Sequence, residues 1–241
     1  MTMRCRCVCP EALDELAPED ARAQRSRRDL QRVHRAMRSL SILKYAVSRL
    51  RLTAAPTRIL ELGAGDGTML LRLARALKPR WVGVELTLLD RHRVVDSKTI
   101  EDYRRLGWRV KAVCADALAW ARRPAAECYD LCIATLFLHH FVDPDLRVLL
   151  RGIAAQSHAF IACEPRRDGV ASLASHLVGL LGANAVTRED AIKSVAAGFA
   201  VDEIAAAWPQ DENTWSVQEF RALPFSHCFI AARQGVRGEH P

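Results

Sequence analysis

The sequence predicts an α/β protein built around a mostly parallel β-sheet. Short apolar runs of strand length alternate with amphipathic helical patterns between residues 58 and 163, which is typical of βαβ units. Two further strand-like runs, NTWSVQEF (213–220) and FSHCFIAAR (225–233), predict a C-terminal antiparallel hairpin that brings the sheet to seven strands. Half of the 241 residues are apolar, so the chain is long enough for one domain with a large core.

The alternation sets the order of the elements from residue 58 onwards. Apolar runs bounded by turn residues predict strands at 58–62, 84–89, 110–114, 131–135 and 159–163. Helical spacing predicts helices at 68–77, 97–106, 117–122 and 144–155. Gly107, directly after the second of these helices, is a typical helix C-terminal residue.

Beyond Glu164 the strand–helix alternation stops. Residues 169–181 are apolar with helical spacing and end at Gly182. Thr187 is a candidate N-cap for a second helix that continues to about residue 197. We expect these two helices to form a lid inserted at about 166–200.

The N-terminal part shows two patterns. Residues 1–28 are polar and lack sustained periodicity, so we expect a mobile leader. From Leu30 to Leu50 apolar residues recur every three or four positions, which predicts one amphipathic cap helix over 29–52. The remaining residues, 53–241, then form the main domain with its lid.

Charge and hydropathy exclude several classes of protein. Residues 1–51 carry 12 of the 35 Lys and Arg residues and 6 of the 28 Asp and Glu residues, so the rest of the chain is nearly neutral. A nucleic-acid-binding domain normally has a basic face, so no nucleic-acid partner is expected. No apolar run reaches the roughly 20 residues of a membrane span, and no secretion signal is visible. We therefore expect a cytoplasmic protein.

The eight cysteines do not predict a metal site. The N-terminal ones, Cys5, Cys7 and Cys9, lack the second cysteine pair that zinc sites normally use. Those in or beside apolar runs are expected to be buried free thiols: Cys114, Cys128, Cys132 and Cys163.

The glycine-rich loop between the first strand and the first helix predicts a ligand site. Its sequence is E-L-G-A-G-D-G-T, with Gly63, Gly65 and Gly67 at alternate positions. A dinucleotide fingerprint needs a small residue where Thr68 stands, so the match to G-x-G-x-x-G/A fails. A nicotinamide-dependent oxidoreductase is therefore the weaker alternative, also because no Tyr-x-x-x-Lys pair is present.

The same loop resembles motif I of the class I S-adenosylmethionine-dependent methyltransferases, (D/E)-x-G-x-G-x-G. V-C-A-D-A, ending the third strand, and Y-D-L-C-I-A-T-L-F-L-H-H-F, around the fourth, resemble later motifs of that family. The resemblance covers roughly residues 57–165 and implies a Rossmann-like sheet with S-adenosylmethionine as cofactor. The cofactor-binding positions it implies are Glu61, Gly63, Ala64, Gly65, Gly67, Asp90, Arg91, Asp116, Ala117 and Thr135.

Within this family an acidic residue ends the second strand and accepts hydrogen bonds from the ribose. Two candidates are present in W-V-G-V-E-L-T-L-L-D-R, namely Glu85 and Asp90. We favour Asp90, because residues 81–83 then form the turn and 84–89 the buried strand. The resemblance also implies that Glu61 binds the methionyl amine, and that Asp116 and the backbone of Ala117 bind the adenine.

The residues expected to act on the acceptor follow the fourth and fifth strands, where open α/β sheets bind ligands. His139 and His140 are candidates to take a proton near neutral pH, and Glu164 is the third candidate catalytic residue. Candidate substrate contacts are Leu136, His140, Arg166 and Arg167.

These features predict a methyltransferase acting on a small acceptor, aromatic or polyketide-like, by O-methylation. C-methylation of a quinol-type ring is the next alternative, and a catalytically silent binding protein is another. The lid at 169–181 and the helix from Leu30 are expected to roof an apolar pocket. Several motifs, including L-F-L-H-H-F and C-E-P-R-R, resemble a bacterial branch related to the quinone-biosynthesis methyltransferases. For the oligomeric state, the prediction is a homodimer.

Overall fold

The protein forms a three-layer α/β structure around one seven-stranded sheet. The computed structural model describes residues 5–50, 52, 54–78, 80–124, 128–209 and 214–234. The strand order is β3-β2-β1-β4-β5-β7-β6, and β7 alone runs antiparallel to the others. The strands are β1 Arg58–Leu62, β2 Glu85–Asp90, β3 Arg109–Cys114, β4 Leu131–Thr135, β5 Ala159–Pro165, β6 Trp215–Ala222 and β7 Ser226–Arg233. The predicted fold class, including the antiparallel hairpin, is confirmed.

Helices cover both faces of the sheet and one end of it. In chain order they are α1 Ala12–Glu15, α2 Ala21–Ala36, α3 Ser39–Arg49, α4 Thr68–Leu77, α5 Ser97–Arg105, α6 Ala117–Ala121, α7 Asp143–Gln156, α8 Gly169–His176, α9 Ala185–Ala197 and α10 Glu203–Ala207. Two 3₁₀ turns, Leu138–His140 and Val178–Leu181, complete the set. Among the described residues no helix is long and apolar enough to cross a membrane.

Side chains point alternately to the two faces of the sheet and contribute to one apolar core on each face. On one face, Ile59 and Leu88 pack with helices α3, α4 and α5. On the other face, Leu60 and Phe160 pack with α6, α7 and α10. Since β1, β4 and β5 are buried on both faces, their sequences are nearly continuous apolar runs, whereas β3 at the edge of the sheet is mostly exposed.

The strand order reverses between β1 and β4. β1 pairs with β2 on one side and with β4 on the other, and the connections leave in opposite directions from this point. Open α/β sheets bind ligands at the carboxyl ends of the strands on either side of such a reversal. The glycine loop, which follows β1, lies there.

The N-terminal part differs from the sequence prediction. The single cap helix expected over 29–52 is two helices, because Arg38 adopts a left-handed conformation (φ 57°) between α2 and α3. Helix α2 begins at Ala21 rather than near residue 29, capped by Asp20. The leader expected to be mobile contains α1, and the backbone N–H of Cys7 donates to Ala196 O (3.1 Å). Residues 1–4 lie outside the described part of the chain.

Smaller differences concern one helix start and two thiols. Asn184, not Thr187, caps α9, since its side chain accepts from the Thr187 backbone N–H (2.8 Å). The expected lid helix over 169–181 is α8 followed by the 3₁₀ turn Val178–Leu181. Cys132 and Cys163 are buried as expected, whereas Cys114 and Cys128 are exposed because they lie at the outer end of a strand and in a loop.

Candidate active site

The glycine loop brings its backbone close to the end of the sheet. All three glycines have positive φ, 65°, 53° and 71° for Gly63, Gly65 and Gly67, a conformation that costs other residues energy. A Cβ on Gly63 would lie 2.2 Å from the Phe137 ring, whereas one on Gly65 would meet nothing within 4 Å. Phe137 therefore fills the space beside Gly63, whereas the space beside Gly65 is empty.

Asp90 and Glu85 lie at opposite ends of β2. Asp90 is the last residue of the strand, and its Oδ2 accepts a hydrogen bond from the Gly65 backbone N–H (2.9 Å). Glu85 is the first residue, with half of its side chain exposed, and it pairs with Arg109 at 2.5 Å. Only Asp90 therefore adjoins the glycine loop.

Glu61 and Thr135 are buried at the same end of the sheet with unused polar atoms. Glu61 is 2% exposed, and its Oε2 has no hydrogen-bond partner among the described residues. Burial, reinforced by the carboxylates of Asp66 and Asp90, raises the pKa of Glu61 well above its ordinary value. Thr135 Oγ1, at the end of the neighbouring strand β4, is likewise buried and without a partner in the described chain. These atoms favour a ligand that donates hydrogen bonds and carries positive charge.

The other candidate cofactor residues lie along the same edge. Asp116 follows β3 and caps α6, accepting from the Ala119 backbone N–H (2.7 Å), with Ala117 buried behind it. Ala64 donates its backbone N–H to Leu89 O (3.1 Å), which ties the loop to β2. Arg91 follows Asp90 but turns its guanidinium to Asp14 of the N-terminal segment.

The turn after β4 is held by Glu164. Leu136 adopts a positive φ of 52°, after which the chain enters the 3₁₀ turn. Glu164, fully buried at the end of β5, accepts from the backbone N–H groups of Phe137 (3.0 Å) and Leu138 (2.9 Å), and its Oε2 lies 2.8 Å from His139 Nδ1. Its carboxylate is occupied by protein donors, so Glu164 positions this turn and His139.

His139 lies between two carboxylates. Its Nδ1 faces Glu164, and its Nε2 lies 3.3 Å from Glu11 Oε1 on the N-terminal segment. Burial alone lowers the pKa of His139, but the hydrogen bonds to Glu11 and Glu164 together raise it to about 9. The two carboxylates therefore favour the protonated imidazole, whereas the sequence led us to expect a group that takes a proton near neutral pH.

His140 is the more accessible of the pair. About a quarter of its side chain is exposed, and its ring centroid lies 4.3 Å from that of His139. Its Nδ1 lies 3.2 Å from Asp14 Oδ2, and its Nε2 lies 4.0 Å from Glu11 Oε2. Both histidines thus face the same carboxylate of the N-terminal segment.

Sequence reasoning missed the N-terminal segment as part of this site. Asp190 of α9 accepts from the backbone N–H groups of Ala12 (2.8 Å) and Leu13 (3.0 Å), which docks α1 on the lid. Ser194 donates to Glu11, which is itself nearly buried. These contacts span more than 170 positions, and the acidic residues of a polar leader carried no local sign of them.

The structure does not bring Arg166 or Arg167 to the acceptor side. Arg166 pairs with Asp168, and Arg167 pairs with Glu203 at the start of α10 while also donating to Gly198 O (2.7 Å). Both guanidiniums are buried against protein carboxylates and carbonyls. They hold the lid and α10 in place, in contrast to the substrate contact expected from the sequence.

An apolar cavity of about 330 Å³ lies beside the turn after β4. Leu136 and Pro165, at the ends of β4 and β5, line it together with helices α2, α8 and α9 and the 3₁₀ turn Val178–Leu181. The N-terminal segment and Phe225 complete its walls. Its polar side chains are few: Glu11, Ser26, Ser175, Thr187, Asp190 and Ser194. Helix α2 links the cavity to the glycine loop, since Gln31 donates to Asp66 Oδ2 (2.9 Å). The expected pocket under the lid and the N-terminal helix is present.

The part of the chain that contains the glycine loop is similar to a known protein family. A family model described as a methyltransferase domain matches residues 59–156. No curated protein is significantly similar to the chain in sequence. The plantazolicin methyltransferase BpumL, solved with SAH, has a TM-score of 0.64 at 15% identity over 90% of this chain and 92% of its own.

Two further solved structures share the fold. An O-methyltransferase family protein from Burkholderia thailandensis has a TM-score of 0.62 at 18% identity, over 91% of this chain and 62% of its own. The pyocyanin biosynthetic protein PhzM has a TM-score of 0.55 at 17% identity, over 90% of this chain and 60% of its own. At these identities the likeness shows the fold alone.

The residues at the edge of the sheet fit S-adenosylmethionine. The buried, unpartnered carboxylate oxygen of Glu61 suits an ammonium group, and Asp90 at the end of β2 suits ribose hydroxyls. The open space at Gly65 leaves room for the cofactor against the backbone. Residues 59–156 match a methyltransferase domain, and the sheet order and this donor set agree with S-adenosylmethionine as its cofactor.

Proposed function

We propose that the protein transfers a methyl group from S-adenosylmethionine to a small, largely apolar acceptor, most readily to a hydroxyl oxygen. The observation that carries this proposal is the apolar cavity at Leu136, one residue beyond Thr135 and the cofactor edge. A cavity of about 330 Å³ is in the range of small-molecule sites, and its walls are mainly aliphatic. A polymer or a strongly charged acceptor would not bury apolar surface against these walls.

Methyl transfer is an in-line displacement, so the protein contributes chiefly by holding two partners in line. S-adenosylmethionine supplies a methyl group already activated by its sulfonium. We assign Glu61 to its amine, Asp90 to its ribose and Asp116 with Ala117 to its adenine. The backbones of the glycine loop and Ala64, together with Arg91 and Thr135, complete the cofactor side.

On the acceptor side, we assign the polar end of the cavity to the reacting oxygen. Glu11 lines that end of the cavity, and His139 and His140, the more accessible of the pair, lie against its carboxylate. Glu164 acts through them, because it holds the turn and orients His139. Leu136 separates this polar end from the cofactor edge and lines the cavity.

Fold neighbours support the class of acceptor. The names of two of them state a plantazolicin methyltransferase and an O-methyltransferase family protein. These names support a small-molecule acceptor and methylation at oxygen. C-methylation of a quinol-type ring stays the alternative reaction. The narrower kinship with quinone-biosynthesis methyltransferases, the cytoplasmic location and the homodimer stay predictions.

The test is incubation of the full chain with methyl-labelled S-adenosylmethionine and a panel of phenols, quinols and long-chain acids. We expect label on the oxygen of at least one apolar phenol or quinol. Label on ring carbon would replace O-methylation by C-methylation. Failure to label any acceptor by a chain that binds S-adenosylmethionine would contradict the proposal.

The role of the histidines is tested by the His139→Ala/His140→Ala variant. We expect turnover to fall by about 100-fold, the lower end of what a positioned acid–base group contributes, with cofactor affinity unchanged. His176→Ala, at an exposed histidine of α8, is the matched control. Full activity of the double variant would remove both residues from the mechanism.

A further inference from the structure

Two imidazoles and one carboxylate converge between the N-terminal segment and the turn after β4. The Nε2 atoms of His139 and His140 face the two oxygens of Glu11 at 3.3 and 4.0 Å. One ligand atom from each of the three side chains can be chosen so that all lie within 4.8 Å of one another. His139 is buried and Glu11 nearly so, which separates this cluster from ordinary surface carboxylates.

Each imidazole is oriented from behind by a second carboxylate. His139 Nδ1 lies 2.8 Å from Glu164, and His140 Nδ1 lies 3.2 Å from Asp14. A carboxylate on the far ring nitrogen fixes the tautomer that leaves Nε2 free to bind, and it makes that nitrogen more basic. Histidines that bind metals almost always have such a partner. Here both have one, supplied by two separate parts of the chain.

The spacing fits a divalent transition metal ion. Bonds of about 2.0–2.2 Å in tetrahedral geometry place neighbouring ligand atoms about 3.3 Å apart. His139 Nε2 lies at this distance, 3.3 Å, from Glu11 Oε1. His140 Nε2 lies 4.0 Å from the other oxygen, Glu11 Oε2, which is less than 1 Å longer. Two histidines and one glutamate are also a donor set found in zinc sites that keep an open position.

We propose that Glu11, His139 and His140 bind one divalent transition metal ion of the Zn²⁺ class. The ion joins the N-terminal segment to the turn after β4, residues 128 positions apart, and fixes the segment that covers one end of the cavity. It takes the place of the direct contact between His139 Nε2 and Glu11 Oε1. This proposal does not depend on methyl transfer, because it concerns metal affinity alone.

No metal site was expected from the sequence, because the N-terminal cysteines lack a second cysteine pair. Adjacent histidines after a strand are a weak pattern, and the third ligand lies in the leader. A metal held by Cys5, Cys7 and Cys9 is a separate explanation for any bound zinc. The test therefore uses the full chain with these three cysteines replaced by Ser.

The experiment is calorimetric titration of that chain with ZnCl₂, and with CoCl₂ for its visible absorption. We expect one ion per chain, at least 10-fold weaker binding for Glu11→Gln and for His140→Gln, and unchanged binding for His176→Gln. We expect Asp14→Asn to weaken binding by about 10-fold, since it removes only the outer carboxylate. Circular dichroism confirms that each variant is folded.

Three results would overturn the proposal. The first is no saturable binding of either ion by the cysteine-replaced chain at micromolar concentration. The second is equal affinity of the folded Glu11→Gln and His140→Gln variants and their parent. The third is loss of binding in His176→Gln. All are read without measuring methyl transfer, so they leave the proposed function to its own test.

Discussion

Replacing Glu61 by Gln separates the cost of a buried carboxylate from its use in cofactor binding. Glu61 is 2% exposed, its Oε2 has no described partner, and Asp66 and Asp90 lie near enough to disfavour its charge. Burial raises its pKa, so its charged form destabilises the folded chain as pH rises above the ordinary value of 4.5. Gln keeps the shape and removes that charge. The protein without cofactor should therefore become more stable, while its affinity for S-adenosylmethionine should fall.

The structure sets the size of both effects. Gln leaves the same position without a partner, so the gain comes from the lost charge alone. Each tenfold penalty on ionisation corresponds to about 1.4 kcal/mol, so Glu61→Gln should raise the free energy of unfolding near pH 8 by about 1–2 kcal/mol. A hydrogen bond between charged groups contributes about 1.5–3 kcal/mol, so loss of the contact to the cofactor amine should weaken binding by roughly 10- to 150-fold. The stability gain should vanish near pH 4, where Glu61 is protonated in both states.

Urea unfolding at pH 8 and pH 4 measures the first effect, and calorimetry with S-adenosylmethionine measures the second. Glu85→Gln is the matched control, because Glu85 is half-exposed and lies at the other end of β2. It should change neither quantity by more than about 0.5 kcal/mol. A Glu61→Gln protein that is less stable, or that binds the cofactor as tightly as wild type, would refute the reasoning.

Three further predictions use neighbouring features. Asp90→Ala should weaken cofactor binding at least 10-fold in calorimetry, because it also leaves the Gly65 N–H without its acceptor. If Glu85→Ala weakened cofactor binding instead, Glu85 and not Asp90 would be the ribose-binding residue of β2. Gly63→Ala should cost about 1–3 kcal/mol more in urea unfolding than Gly83→Ala, since both have positive φ but only the former meets an aromatic ring; equal costs would contradict this. Burial lowers the pKa of His34 to about 4, so the folded protein loses stability as pH falls from 6.5 towards 4. Between pH 7 and 5, His34→Gln should therefore lose about 1–2 kcal/mol less free energy of unfolding than the wild type. Parallel pH profiles of unfolding for the two proteins would disprove the shift.

The elements of the sheet were predictable because their causes are local. β1 is followed within five residues by glycines that need positive φ, and the apolar helix α4 follows at once. The position of Asp90 also followed from local pattern, because the turn at 81–83 leaves room for only one strand before it. Such features depend on neighbours in sequence, where patterns are informative.

The acceptor side was less predictable because it depends on distant contacts. Glu11 meets His139 across 128 positions, and Asp190 meets Ala12 across 178. The break at Arg38 also has no sequence cause that we identify, since the apolar spacing continues through it. Arg166 was expected to contact substrate, whereas in the structure it pairs with Asp168.

The central claim is that the acceptor occupies the apolar cavity beside the cofactor edge. Ala191 lines that cavity, and Ala191→Phe fills part of it without touching the glycine loop. The measurement is methyl transfer from labelled S-adenosylmethionine by this variant, with calorimetric cofactor affinity beside it and Ala76→Phe, at an exposed position of α4, as control. We predict lost transfer with unchanged cofactor affinity. Transfer at the wild-type rate by Ala191→Phe would contradict the claim.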